Sequence, residues 1–367
     1  MENDVRVLVL WADERSPNLG VRTLARGSRD LIDSVWPDTE VEYADFTARP
    51  PQVPWGQVRS LVRERVTGRL GMKQWLEGFD LVWDTRSGDS FSDIYGSHRH
   101  SVMSAVHEFA AQAHRPVVMA PQTIGPFMSG SGRMLARRSL HRSALVFARD
   151  PVSAAAAEAL GRPVDAVTSD LAFAIAPPDP VARRRDVILN VSGLLWRENP
   201  HLDARVYREA VTAIVRMLLA DSRSVALLPH VLDSHDRDND APAVDALTAE
   251  FGDDLEPLAP RDLDDARAII AGSRVLIGAR MHACLNALST GVPAIAMAYS
   301  RKFAPLFDAI GWPYSVPATA LGTETAARVL EILAVPTLGE SAQRARARGR
   351  SSLSPIRPAL ESLSFPR

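Results

Sequence analysis

The sequence predicts two α/β domains, each built on a doubly wound parallel sheet with helices on both faces. Three observations point there. The chain has 367 residues, more than a single ordinary core holds, so two domains are expected. Short, continuous apolar runs alternate with helix-length amphipathic stretches, the pattern of buried parallel strands separated by crossover helices. A proline-rich break, Ala176-Pro177-Pro178-Asp179-Pro180, separates two such series and cannot continue a helix or a central strand.

In the first series the predicted strands are Val5–Leu10, Leu81–Trp83, Val117–Ala120 and Leu145–Phe147. In the second they are Val187–Asn190, Val225–Leu228, Val275–Ile277 and Ala294–Met297. Predicted helices are Gly20–Val35, Gly132–Arg142, Val152–Leu160, His201–Ala220, Leu263–Ala271 and His282–Thr290. The resulting division is an N-terminal lobe over 1–176, a linker over 177–185 carrying Arg183–Arg185, a C-terminal lobe over 186–335 and a helical tail over 336–367.

Composition removes several classes of function. With 46% apolar and 23% charged residues the chain is ordinary globular protein. Its net charge of -2 lacks the basic footprint of a nucleic-acid binder. The single cysteine, Cys284, lies in an apolar run and reads as a core packer in a reducing compartment. No apolar stretch matches an export signal or a membrane span, so the expected location is the cytoplasm. The acidic stretch Asp233–Asp240 lacks the Gly-centred spacing of a calcium loop and reads as an exposed loop, and no metal or cofactor is expected.

Open parallel sheets bind ligands beyond the carboxyl ends of their strands, so the residues following each strand are the candidates. The strongest set follows the Val275 strand, where Arg280-Met281-His282 opens a helix. A helix N-terminus favours an anion, an arginine fork matches carboxylate or phosphate, and histidine can deliver a proton near neutral pH. His230 ends the Val225 strand; Arg149 follows the Leu145 strand and is either a second cationic clamp or a partner of Asp150 or Asp170. Arg197 and Lys302 are further cations that could equally be surface charges. Asn18 and Gly20 sit between a strand and a helix, as in a nucleotide-binding turn, though no Gly-x-Gly-x-x-Gly is present. Asp89 and Asp93 are candidate bases or sugar-hydroxyl ligands, or else loop-structuring Asx turns. Gln122 either shapes a cleft floor or scaffolds a turn.

These segments together resemble the polysaccharide pyruvyl transferase family. The resemblance is carried by Gly278-Ala-Arg280-Met-His282, Gly291-Val-Pro293 and Tyr299-Ser-Arg-Lys302. In order, Asn18-Leu-Gly20, Gly88-Asp89 with Asp93, Pro121-Gln122, Ala148-Arg149-Asp150, Ser169-Asp170 and Leu228-Pro229-His230 accompany it, covering most of 5–310. The resemblance implies two Rossmann-like lobes facing across a cleft, similar to the GT-B glycosyltransferases. It also implies a reaction in which phosphoenolpyruvate and a sugar diol give a cyclic pyruvate ketal and phosphate.

On that basis Arg280, the Met281 backbone and His282 form the donor site, with Arg149, Arg197 and Lys302 as additional cations. His282 is the expected acid with His230 second, and Asp89 is a candidate base, the identity of the general base being left open. Asn18, Gly20, Asp93 and Gln122 fall on the acceptor side. The acceptor is a sugar, a glycan or a lipid-linked glycan, and a lipid-linked one would draw the protein peripherally to a membrane. The family pattern is broken at Gly20-Val21-Arg22 and Thr85–Asp89, which leaves the acceptor's identity open. Two other readings remain: a GT-B glycosyltransferase using a nucleotide sugar, and a silent binding protein on the same fold.

Overall fold

The computed structural model describes residues 5–46, 53–179, 182, 184–232, 234, 238–318 and 322–365. They form two compact units, one of residues 1–14, 24–174 and 351–367, the other of 15–23 and 175–350. Each unit carries a six-stranded parallel sheet.

In the first unit the strands are β1 (Arg6–Leu10), β2 (Glu40–Ala44), β3 (Leu81–Asp84), β4 (Val117–Gln122), β5 (Leu145–Ala148) and β6 (Ala166–Val167), in the order β2-β1-β3-β4-β5-β6. The central β3 is fully buried along Leu81–Asp84, which is why it reads as an unbroken apolar run. At the sheet edge β2, Glu-Val-Glu-Tyr-Ala, is mostly half-exposed and carries charges. A search for continuous apolar runs passes over such a strand, and over the two-residue β6.

The second unit contains β7 (Arg185–Asn190), β8 (Val225–Leu227), β9 (Leu255–Pro257), β10 (Ser273–Gly278), β11 (Ala294–Ala298) and β12 (Ser315–Pro317), in the order β12-β11-β10-β7-β8-β9. Its long helix Ala204–Ala220 starts where Asp203 accepts the Arg205 amide at 2.8 Å. Burial of Tyr207, Ala210, Val211, Ile214, Val215 and Leu218 follows the helical period and packs this face on the core.

Three boundaries differ from the sequence expectation. Residues 15–23 count with the second unit, because Pro17–Leu19 runs beside residues 230–232. Leu19 N donates to His230 O at 2.9 Å, Leu232 N donates to Pro17 O at 2.8 Å, and Asn18 bridges to Val231. The expected linker over 177–185 ends early, since Arg185 already belongs to β7 and its guanidinium pairs with Glu256 at 2.6 Å; Pro180, Val181 and Arg183 lie outside the described residues. The expected tail is divided: the helix Leu338–Ser351 reaches Gly291 O through Gln343 Nε2 at 3.1 Å, whereas Phe365 packs edge-on to Trp36 with 5.3 Å between rings.

The helix Leu19–Val35 provides a check on packing. A Cβ at Gly27 would lie 2.2 Å from the backbone oxygen of Leu171, an atom that cannot swing aside. Gly to Ala in an open helix stabilises by about 1 kcal/mol. Here overpacking wins, and Gly27→Ala should lower stability by about 1–3 kcal/mol, read from urea unfolding.

Candidate active site

In the second unit the chain winds outward through β7, β8 and β9, then returns to lay β10 against the other side of β7. The β7/β10 junction is therefore the point where winding reverses, and ligands bind beyond such a junction. Asn190 ends β7 and ties the junction together: its Oδ1 accepts the Arg280 amide at 3.0 Å and its Nδ2 donates to Leu228 O at 2.9 Å. Gly278 ends β10, where a Cβ would meet Leu276 Cδ2 at 2.9 Å and the Cys284 sulfur at 3.1 Å. Burial pushes the Cys284 thiol up and the side chain is fully enclosed, so it packs and does not attack.

Arg280 stands at the N-cap of the helix Met281–Thr290, which has no side-chain cap. Its fork is already occupied. Nη1 donates to Asp238 Oδ1 at 2.6 Å, Nη2 to Asp240 Oδ1 at 2.6 Å and to Asp238 O at 2.5 Å, and Nε to Asp240 Oδ1 at 3.2 Å. Burial disfavours the cation, but the two carboxylates outweigh it and hold Arg280 more firmly protonated than usual. The fork expected to take a donor anion is thus held here by two protein carboxylates.

Asp240 is fully buried, not a member of an exposed acidic loop as its sequence context suggests. Its Oδ2 accepts the amides of His230 and Val231, each at 2.9 Å, and its Oδ1 accepts the Gly193 amide at 2.7 Å besides Arg280. Gly193 has to be glycine, because a Cβ would fall 1.8 Å from Asn239 O. Asp233 and the neighbouring residues 235–237 lie outside the described residues.

His230 is also buried. Its Nε2 lies 3.3 Å from Asn286 Nδ2, which also donates to Thr23 Oγ1 at 3.0 Å, while Arg267 donates to Asn286 Oδ1 at 2.9 Å. Burial first, then the neighbouring His282 and Arg280, push the His230 imidazole well below its usual range. It is neutral at pH 7, which removes it as the resting proton donor. His282, one turn before Asn286 on the same helix, is only half-buried. The bare Cα of Gly20 lies against its ring, since a Cβ there would sit 2.9 Å from Nδ1. Asn18 Oδ1 accepts the Gly20 amide at 2.8 Å. Asn18 and Gly20 thus stand with His230 and His282 in the second unit, and their expected place in the acceptor lobe is corrected.

Met281 is buried at the first helical position, Arg197 is exposed, and Lys302 is half-buried at the N-cap of the helix Phe303–Ala309. Among the described residues no cluster of three His, Cys, Asp or Glu fit to hold a metal occurs.

In the first unit Arg149 is enclosed and pairs with Asp170 at 2.6 Å, with Nε on Thr123 Oγ1 at 2.9 Å. Its Nη2 has no hydrogen-bond partner among the described residues, and the same holds for Oε1 of the buried Gln122 nearby, whose backbone O accepts the Arg149 amide. Asp93 is a loop brace: it accepts the amides of Met128 and Ser129 at 2.7 and 2.8 Å and the Ser129 hydroxyl at 2.7 Å. Burial raises its pKa, but these donors outweigh that and bring it below the usual range. Asp89 is half-buried and accepts from Tyr95 Oη at 3.2 Å.

Sequence reasoning missed the buried set beneath this edge. Asp84 Oδ2 takes Arg86 Nε at 2.8 Å and His107 Nδ1 at 2.9 Å, and Arg86 lies 4.7 Å over the Phe91 ring. Burial alone would raise Asp84, but Arg86 and His107 outweigh it and lower its pKa; burial lowers that of His107. Asn286 was the more readable omission, being a lone amide in the apolar helix Met-His-Ala-Cys-Leu-Asn.

Two outcomes follow. Asp240→Ala leaves Arg280 partly uncompensated and strips a buried acceptor from three amides, so unfolding free energy should fall by about 3–5 kcal/mol in chemical denaturation. The pH dependence follows from the histidines. Burial first, then Arg86, brings His100 down from 6.5 to about 4, and His107 and His230 shift in the same direction. The unfolded chain takes up protons before the folded one, so stability present above pH ~6.5 is lost as pH falls toward ~4. Melting temperatures across that window should decline, and His100→Gln should flatten the decline.

Solved structures at low identity share the fold. A putative UDP-N-acetylglucosamine 2-epimerase from Listeria monocytogenes is 11% identical with TM-score 0.62, covering 100% of this chain and 99% of that one. A UDP complex of MnaA from S. aureus is 12% identical with TM-score 0.62, covering 96% and 94%. The glycosyltransferase SnogD from Streptomyces nogalater is 15% identical with TM-score 0.51, covering 98% and 99%. No curated protein matches the sequence. No helix among the described residues is long and apolar enough to cross a membrane. The polysaccharide pyruvyl transferase family model, however, matches residues 25–301, a span that holds Arg149, His230, Arg280 and His282, and the chain belongs to that family.

Proposed function

We propose that this transferase moves the pyruvyl group of phosphoenolpyruvate onto two hydroxyls of a sugar, releasing phosphate. The observation that carries the reading is the uncapped helix start at Met281, beside His282, at the winding reversal of the second sheet in a chain of this family. Amide N–H groups and the helix dipole there suit an anionic donor.

In the chemistry, a proton goes to C3 of the enol, leaving positive charge on C2. One sugar hydroxyl adds to C2 and gives up its proton. The C2–O bond to phosphate breaks, and the second hydroxyl closes the ketal with loss of its own proton. His282, half-buried and in the first helical turn, supplies the first proton, a role worth about 10²–10⁴-fold. His230 stays neutral and, through Asn286, keeps the helix and the His230 loop in register. Asp89 is the base we assign to the sugar hydroxyl.

Donor anions reach Arg280 by replacing a carboxylate. Asp240 is fully enclosed and stays, whereas Asp238 is 35% exposed and is the one exchanged. A ligand that binds the native state raises the melting temperature, by about 2.7 kcal/mol of stabilisation at 100 times Kd. Phosphoenolpyruvate should give such a shift, and Asp238→Asn should enlarge it at subsaturating donor. A shift with UDP-sugars and none with phosphoenolpyruvate would support the nucleotide-sugar reading and end this one.

A further inference from the structure

We infer that the helix Val58–Thr67 of the first unit, with the turn that follows it, is a docking face for an anionic phospholipid bilayer. Among the described residues, every exposed large apolar side chain belongs to the first unit, and three of them lie along this one segment. Val62 is 57% exposed, Val66 82% and Leu70 45%. Val62 and Val66 are one helical turn apart and share a side of the helix, and Leu70 continues the row past the C-cap. Apolar residues scattered singly over a surface need no explanation, but a continuous row does.

The row is held outward by the way the segment is anchored. Leu61 and Glu64, on the opposite side of the helix, are buried. Leu61 belongs to the core cluster that also takes Met72 and Leu76. Gly68 closes the helix in the left-handed region, at φ 58°, and its amide donates to Glu64 O at 2.7 Å. The Glu64 carboxylate then accepts the amides of Leu70 at 2.9 Å and Met72 at 3.2 Å. Glu64 thereby fixes a turn that sends Met72 into the core and leaves Leu70 in solvent.

Charge completes the face. Arg59, Arg63, Arg65 and Arg69 flank the row and are all exposed, and none of their guanidinium groups makes a hydrogen bond or ion pair with the described residues. The acids of the same stretch are spent elsewhere: Glu64 on the turn, Asp80 on the Arg6 amide at 2.8 Å, and Glu77 beside Lys73 at 3.6 Å. The whole chain has a net charge of -2, so these uncompensated arginines are a local concentration. An anionic bilayer meets both features. Its headgroups draw the guanidinium groups, while the valines and Leu70 enter the acyl boundary with the arginine stems alongside. A nucleic acid would use the cations and leave the apolar row in water. A second copy of the same face would set arginine against arginine. Attachment through a lipid-linked acceptor needs that acceptor; this face needs only the headgroups, whatever reaction the protein performs.

Co-sedimentation of the full chain with vesicles that carry no glycan tests it. Phosphatidylcholine vesicles with about 30% phosphatidylglycerol should retain the protein at roughly 0.1 M salt and release it at about 0.5 M, and phosphatidylcholine alone should not retain it. The double variant Arg59→Gln, Arg63→Gln should bind about 25-fold more weakly, each cation contributing about fivefold. Val62→Ser with Val66→Ser should weaken binding about tenfold, as keeping roughly 55 Å² of apolar surface out of lipid predicts. These positions are exposed, and unchanged melting curves check that folding is intact. Arg133→Gln with Arg137→Gln removes two exposed cations from the helix Gly130–Arg142 and should leave binding as in the parent. No sedimentation with phosphatidylglycerol, equal sedimentation with phosphatidylcholine alone, or an equal loss in the Arg133, Arg137 variant overturns the face. Unchanged binding in the valine variant overturns it as well, and full displacement by poly-glutamate would then mark the patch as a contact for an acidic protein.

Discussion

The carboxylate of Asp240 is the constraint on which the second unit's site depends. One buried group receives the Gly193 amide from the loop after β7, the His230 and Val231 amides from the loop after β8, and the Arg280 fork from the exit of β10. Three strand exits are thus fixed to one point. A buried pair of this kind adds little net stability, because desolvation offsets the attraction. Its value is geometric, since the loops cannot move separately without orphaning a charge. Gly193 is the steric condition for it, because a side chain there would push the 239–240 backbone away.

The first unit solves a similar problem with the same materials. Asp84 ends β3, takes Arg86 and His107, and lies under the turn that carries Ser87 and Asp89. Arg86 has a left-handed backbone and no exposed surface, so the ion pair and its place over Phe91 hold it where its own conformation would not. In both units a neutral histidine accompanies the buried arginine and carboxylate, and in both burial keeps the imidazole from competing for charge.

Much of this was legible beforehand. Central strands announce themselves because both faces are buried, and the placement of Arg280 and His282 between a strand exit and a helix start could be read from the sequence. What could not be read is which polar groups satisfy one another. Asp240 stands in a run of acidic residues and looked solvated, yet its neighbours in space come from residues 47 and 40 positions away along the chain. Asn18 and Gly20 follow the first unit's strand in sequence, but three residues of backbone pairing with 230–232 place them beside His282. Arg149 could be narrowed to a clamp or a partner of Asp150 or Asp170, and geometry shows the pair with Asp170, with Nη2 lacking a partner among the described residues.

His230 and His282 show how burial divides labour between like residues. Both follow a strand exit, and sequence offers no ground for preferring either as acid beyond the helix start. Asn286 hydrogen-bonds near one and stands a turn along the helix from the other. His230 is enclosed, with His282 and Arg280 close enough to disfavour a further positive charge, so a proton placed there would be expelled. His282 keeps partial exposure and has the bare Gly20 against its ring, an approach that a side chain at that position would block. The same reasoning limits Arg280. A guanidinium held by two carboxylates is a fixed structural charge, and an anion would reach it only by displacing one of them.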